Sequence, residues 1–161
     1  MKKYSYYGIS ILVILIDQIS KIIVRTSIAP NQTIKVTDKF FWLTNVQNPG
    51  VAFSFLSGES FLIKYLLVFI SIVAIIILSY LILKSTPKLE KIVFALILGG
   101  AAGNLIDRII FGKVTDLIWV DFPDFIMQRW PVFNLADSSI VIAVILILIH
   151  TIFFANKNAE V

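Results

Sequence analysis

Long apolar runs alternate along the chain with stretches where polar and aromatic residues mix. Four runs, residues 7–28, 61–83, 92–111 and 137–154, consist mostly of Ile, Leu, Val, Phe and Ala. A bilayer core about 30 Å thick takes about 20 helical residues to cross. Each run has that length or nearly so. The pattern predicts an all-α membrane protein, with four transmembrane helices in a single integral membrane domain over residues 1–161.

Two connections, residues 29–60 and 112–136, are long and neither has the composition of a disordered linker. TIKV at 33–36 and FFWLTNV at 40–46 are β-branched and aromatic, and NPG at 48–50 marks a turn before VAFSF. These features predict short strands in a small extracytoplasmic β-rich element at the membrane surface. Phe40, Phe41, Trp42, Trp119 and Trp130 suit the interfacial belt, as simple anchors or as part of a site. The third connection, KSTPKLEK at 84–91, reads as a short turn around Pro87.

Composition agrees with a membrane setting: 58% of residues are hydrophobic and 15% charged. Lys2 and Lys3 precede the first run as in a secretory signal. Asp17, Lys21 and Arg25 interrupt that run and no small-residue cleavage pattern follows, so it is expected to be retained. The net charge of +4 is read as a topology signal rather than as affinity for nucleic acid. Lys2 and Lys3, then Lys84, Lys88 and Lys91, then Lys157 mark short segments on one side, expected to be the cytoplasm. Both termini are then cytoplasmic, and the long connections lie outside.

There is no cysteine, which removes disulfides, thiolate chemistry and Cys-ligated metal. His150 is the only histidine, and one His gives neither a metal site nor a Ser/His couple.

The polar residues are unevenly placed. Asp17, Asn48, Asn104, Asp107, Arg108, Asp116, Asn134 and Asp137 all fall toward the outer ends of runs or into the outer segments. In GGAAGNLIDR, Gly99 and Gly103 form a G-x-x-x-G pair that admits a neighbouring helix. Asn104 shares a helical face with both Asp107 and Arg108. A charge in the membrane costs about 2.5–3.5 kcal/mol on insertion scales unless paired or wet, so the cluster serves packing or function. For Asp107 and Arg108 the favoured reading is a structural network joining the third and fourth helices, since paired charges are the usual way membrane ions persist. In DQISK, Lys21 follows Asp17 at i+4 with the acid on the favourable side, which marks Asp17 as a supporting residue.

Two further acids have contrasting settings. Asp116 lies in the strand-like run GKVTDLIWV with Val114 and Ile118 on its face, where desolvation favours the protonated form. Asp137 stands at the start of the last helix, as an N-cap whose free N–H groups favour a carboxylate. Taken alone, Asp137 is adequately explained as a cap. If the two meet, they make an acid/base pair able to activate water and protonate a leaving amine.

The order and spacing of five blocks resembles the bacterial lipoprotein signal peptidases, or signal peptidase II: DQISK at 17–21, NPGVAFSF at 48–55, GNLIDR at 103–108, GKVTDLI at 112–118 and WPVFNLADSSI at 130–140. The resemblance spans nearly the whole chain. It implies an aspartic endopeptidase of the cytoplasmic membrane. Such an enzyme cleaves diacylglyceryl-modified prolipoproteins just before the lipidated cysteine, at the outer face. The family's catalytic aspartates fall on Asp116 and Asp137. Its supporting or substrate-binding polar residues fall on Asp17, Asn48, Asn104, Asp107, Arg108 and Asn134. The resemblance implies prolipoproteins and membrane lipids as partners, and no metal or cofactor.

Three positions depart from the family's usual pattern: Val51 replaces a common alanine, and Thr115 and Leu117 replace a frequent valine and phenylalanine beside the first acid. Asp121 and Asp124, in DFPD, read as solvated acids of an exposed turn. The alternative function is a small four-helix exporter, whose coupling acid belongs near the membrane midplane. A serine or metal intramembrane protease would need a Ser/His couple or an H-E-x-x-H motif.

Overall fold

The computed structural model describes residues 3–37, 40–50, 61–121 and 131–154. VAFSF, Asp124, Trp130, Lys2 and Lys157 lie outside the described residues. Four helices are long and apolar enough to cross a membrane: α1 (Tyr7–Ser27), α2 (Phe61–Lys84), α3 (Lys88–Phe111) and α4 (Leu135–Phe154). A short 3-10 turn, Lys3–Tyr6, precedes α1. Three strands, β1 (Thr33–Lys35), β2 (Phe41–Asn48) and β3 (Val114–Val120), form one antiparallel sheet in that order.

The helix boundaries follow local chemistry. Ile28 turns extended at the end of α1, two residues before Pro30, which supplies no N–H to continue the helix. Pro87 caps α3 in an extended conformation, so α3 begins at Lys88 rather than at Ile92. Only Ser85, Thr86 and Pro87 of the expected KSTPKLEK turn are therefore outside helix. Lys88 and Lys91 are tolerated in the added turn, because long cationic stems can run along apolar surface while the charge stays in water. At the other end, Gly112 takes the left-handed conformation (φ +74°), and its N–H donates to the Arg108 carbonyl at 3.1 Å.

Helix α3 is the centre of the bundle and packs against α1, α2 and α4. Its small residues permit this. A Cβ on Gly99 would lie 2.7 Å from Val13 Cβ, and one on Gly103 would lie 2.7 Å from an Asp17 carboxylate oxygen. The G-x-x-x-G pair thus faces α1, as a close-approach motif should. Far from the sheet, Tyr6, Leu78, Ile82, Ala95 and Leu98 form an apolar core, with the Ser10 hydroxyl donating to the Ala95 carbonyl at 2.7 Å. The outward faces keep large apolar side chains exposed, among them Leu62, Phe69, Ile76, Ile110, Ile152 and Phe153. That is the surface expected of helices whose solvent is lipid.

The sheet sits at the end of the bundle where α1 and α3 finish. Val24 and Ile28 of α1 pack with Leu117, Leu43 and Ile118, and Trp42 and Trp119 pair across the strands with ring centroids 5.2 Å apart. Between Leu43 and Val46, β2 carries one residue more than β3, a bulge. Buried within it, Asn45 donates from Nδ2 to the Ile28 carbonyl at 2.8 Å and so ties β2 to the end of α1. The segment entering α4 also joins the sheet: Phe133 and Ile118 exchange backbone hydrogen bonds at 2.8 and 3.0 Å. This pairing delivers the start of α4 to the middle of β3.

Candidate active site

Asp116 lies in the buried half of β3, and both of its carboxyl oxygens accept hydrogen bonds from side-chain amides. Asn48, at the end of β2, donates to Oδ2 at 2.8 Å, and Asn134 donates to Oδ1 at 2.8 Å. The Asn134 amide also donates to Asn104 Oδ1 at 3.1 Å, and Asn104 donates in turn to Asp137 Oδ1 at 2.8 Å. A chain of two asparagine amides therefore connects the carboxylates of Asp116 and Asp137. These five residues come from β2, β3, α3 and the start of α4, yet they form one constellation.

At the start of α4 the structure corrects one expectation. The N-cap is Asn134, three residues before Asp137. Asn134 Oδ1 accepts the Asp137 N–H at 2.9 Å, and Asp137 Oδ2 accepts the Asn134 N–H at 3.2 Å. This is a reciprocal capping box, with an Asn at the cap and an acid at the third helical position. Between them, the Ala136 N–H donates to Asp17 Oδ1 of α1 at 3.0 Å. Asp137 keeps its place in the positive field of the helix start, but it gets there as the partner of the cap.

Behind this layer lies a buried ionic network joining α1 and α3. Lys21 Nζ contacts Asp17 Oδ2 at 2.8 Å and Asp107 Oδ2 at 3.4 Å, and donates to Asn104 Oδ1 at 3.0 Å. The side chains of Lys21, Asp17 and Asp107 have no solvent exposure. Gln18 Nε2 reaches Asp17, Asp107 and the Gly103 carbonyl. Each buried ion has an opposite charge and hydrogen bonds, the condition under which charges persist in an apolar interior. Asp107 extends the network to β3, since its Oδ2 accepts the Thr115 N–H at 2.9 Å. Arg25 Nη1 contacts Asp107 Oδ1 at 3.2 Å and donates to Thr115 Oγ1 at 3.0 Å. Asp107 is thus part of a structural network: its own contacts reach α1 and β3, while Asn104 and Asp17 carry the network on to α4.

All the anticipated residues but one enter this network: Asp17, Asn48, Asn104, Asp107, Asp116, Asn134 and Asp137. Arg108 stands apart. It is half-buried, within electrostatic range of Asp137, Asp116 and Asp107, and makes no ion pair among the described residues. Arg25, Thr115, Gln18 and Gln47 also belong to the network but did not stand out as site residues. A signal for Arg25 was present: Asp17, Lys21 and Arg25 recur every four residues and so share one face of α1. Asp121, expected in an exposed turn, is half-buried and donates its N–H to the Phe40 carbonyl at 3.1 Å.

Burial pushes the Asp116 carboxyl up to about 6, against the opposing effect of the Asn48 hydrogen bond, with the neighbouring charge of Asp137 adding to the rise. The expectation that Asp116 resists ionisation holds, though polar amides as well as apolar neighbours surround it. The arrangement joins an acid that holds its proton to higher pH than a free aspartate to a second carboxyl at a helix start, a contrast that acid/base chemistry can use.

Residues 9–153 match the family model described as signal peptidase (SPase) II. The lipoprotein signal peptidase of Moorella thermoacetica is 44% identical over 139 residues, covering 86% of this chain and 87% of that relative. The lipoprotein signal peptidase of Francisella tularensis subsp. novicida is 38% identical over 161 residues, covering 97% and 96%. Among solved structures, a bacterial membrane enzyme determined by the in meso method at 1.9 Å superposes with a TM-score of 0.81 at 31% identity, covering 94% of both chains. With the fold, the length and most of the sequence all matching, this chain belongs to the signal peptidase II family.

Proposed function

We propose that the chain is a membrane aspartic endopeptidase. It removes signal peptides from diacylglyceryl-modified prolipoproteins, cleaving before the lipidated cysteine with water activated between Asp116 and Asp137. Family membership supports the substrate class. The observation that carries the mechanism is the amide bridge from Asp116 through Asn134 and Asn104 to Asp137, because it ties the two carboxyls into one hydrogen-bonded constellation.

In this reading Asp137 takes a proton from water as the water oxygen attacks the scissile carbonyl carbon. Asp116 holds the proton that completes the transfer to the departing amine, so hydrolysis yields a free carboxylate and a free amino group. Asn48 fastens the Asp116 carboxyl at 2.8 Å and is itself held in place by the Gly50 N–H, which donates to its Oδ1 at 2.8 Å. Arg108, which makes no ion pair among the described residues and lies in the field of Asp137, Asp116 and Asp107, stabilises negative charge that develops at the carbonyl. The exposed apolar faces of the helices leave the diacylglyceryl chains in lipid. Both termini lie in the cytoplasm and the sheet end faces outward, on the density of lysines in the short connections. Neither membrane lipid nor substrate is held through a metal or cofactor, and nucleic acid has no part.

The test is cleavage of a lipidated prolipoprotein by purified wild type, Asp116→Asn and Asp137→Asn, with folding followed by thermal melting. Both variants should fold and lose turnover by at least a hundredfold, the lower range of a general acid or base contribution. Near-normal turnover in either variant rules out the dyad.

A further inference from the structure

Thr115, the residue before Asp116, stands where the family frequently has valine, and it is fully buried. Its Oγ1 accepts from Arg25 Nη1 at 3.0 Å and from Gln47 Nε2 at 3.3 Å, while its N–H donates to Asp107 at 2.9 Å. Gln47 is the cross-strand partner of Thr115 and donates also to Asn45 Oδ1 at 2.9 Å, inside the bulge. One hydroxyl therefore gathers α1, β2 and β3 immediately beside Asp116. Val and Thr have nearly the same shape but only Thr accepts a hydrogen bond, so valine at this position would leave both donors short of an acceptor.

We infer that Arg25 and Thr115 form a coupled positioning pair that fixes β3, and with it Asp116, for catalysis. The inference rests on the proposed role of Asp116 and deepens it. The two residues act through Asp116 and Asp107 and touch no reacting atom. Coupling follows from what each leaves behind when the other is replaced. With Thr115→Val, Arg25 keeps only Asp107 and draws on the carboxylate that holds the strand's backbone. With Arg25→Leu as well, that demand is gone. Leucine then meets the Phe111 ring, over which the Arg25 guanidinium now lies at 4.4 Å, and Asp107 retains Lys21, Gln18 and the Thr115 N–H. Removing both partners of a hydrogen bond in favour of apolar groups is far milder than removing one.

The experiment compares kcat and KM on a lipidated prolipoprotein for Thr115→Val, Thr115→Ser, Arg25→Leu and the Arg25→Leu/Thr115→Val double variant, alongside Asp116→Asn. Thr115→Val should lose about tenfold in kcat at near-constant KM, as expected for one charge-assisted hydrogen bond. Thr115→Ser, which keeps the hydroxyl, should stay within about twofold, and the double variant should recover part of the loss, the sign of direct coupling. Full activity in Thr115→Val, or single losses that multiply in the double variant, overturns the pair. Should Thr115→Val fail to fold, the contrast between an impaired Arg25→Leu and a normal Thr115→Ser supports the pair, and an unimpaired Arg25→Leu overturns it. Turnover by Asp116→Asn would defeat the underlying mechanism; an inactive Asp116→Asn beside an uncoupled pair defeats this inference alone.

Discussion

Asn134 and Asp137 cap one another: each accepts the other's backbone N–H, at 2.9 and 3.2 Å, through a side-chain oxygen. The same Asn134 side chain then spends its amide on Asp116 and Asn104. A helix-starting motif and the proposed catalytic constellation are here built from the same two residues, through different atoms of each.

Replacing Asn134 by alanine separates them. Losing the cap should cost about 1 kcal/mol of stability, visible as a lowered melting temperature. Turnover should fall much further, because the proposed catalytic carboxyl of Asp116 loses an amide donor and the link through Asn104 to Asp137 is broken. A loss of turnover no larger than the melting shift accounts for would make Asn134 a cap alone.

Lys21 is the cation on which Asp17, Asp107 and Asn104 converge. Lys21→Met keeps the length of the side chain and removes the charge. Breaking a buried ion pair from one side costs about 3–5 kcal/mol, so the variant should denature at markedly lower temperature or denaturant concentration than wild type. Unchanged stability in detergent micelles would mean that the neighbouring acids do not depend on that charge.

Gly103 has no room for a side chain, since the carboxylate of Asp17 occupies the space where a Cβ would go. Gly103→Ala should push that carboxylate away from the Ala136 N–H, destabilise the protein by about 1–3 kcal/mol as overpacking does, and lower turnover with it. Gly8→Ala, where a Cβ meets nothing within 4 Å, is the control and should melt at the wild-type temperature.

Asp116 gives the stability an identifiable pH dependence. Its carboxyl is raised from 3.8 to about 6 in the folded protein. A raised pKa means that the folded state holds the proton more tightly than the unfolded chain. The stabilisation from this group is then fully present below 3.8 and is lost as pH rises through about 6. Melting curves of wild type and Asp116→Asn between pH 4 and 7, a range on the order of that window, should show the wild type losing more stability with rising pH than the variant. Parallel curves would contradict the raised value.

The spans were legible because hydropathy over twenty residues depends little on tertiary contacts. Their edges were less so: counting apolar residues alone starts α3 at Ile92 and omits the first turn that carries Lys88 and Lys91. The cap of α4 was misplaced because Asn134 and Asp137 are equally good caps in isolation. Only the N–H partners decide between them. Arg25 was read as an interruption of an apolar run, since a lone sequence does not reveal that Asp107 and Thr115 wait across the interface. The bulge that buries Asn45 has no signature in TIKV or FFWLTNV. What the pattern did convey was that costly polar residues crowd one end, and the described structure has them there.

The hydrogen bond from Ala136 to Asp17 spans 119 positions of the chain. A ribosome delivers Asp17, Lys21, Asp107 and Asp116 to the membrane before it has made either Asn134 or Asp137. Until the last helix enters, Asp116 lacks both its second amide and its proposed catalytic partner. On the proposed dyad, the half-made protein has one acid without the other, and the pair is complete only with the helix that completes the bundle.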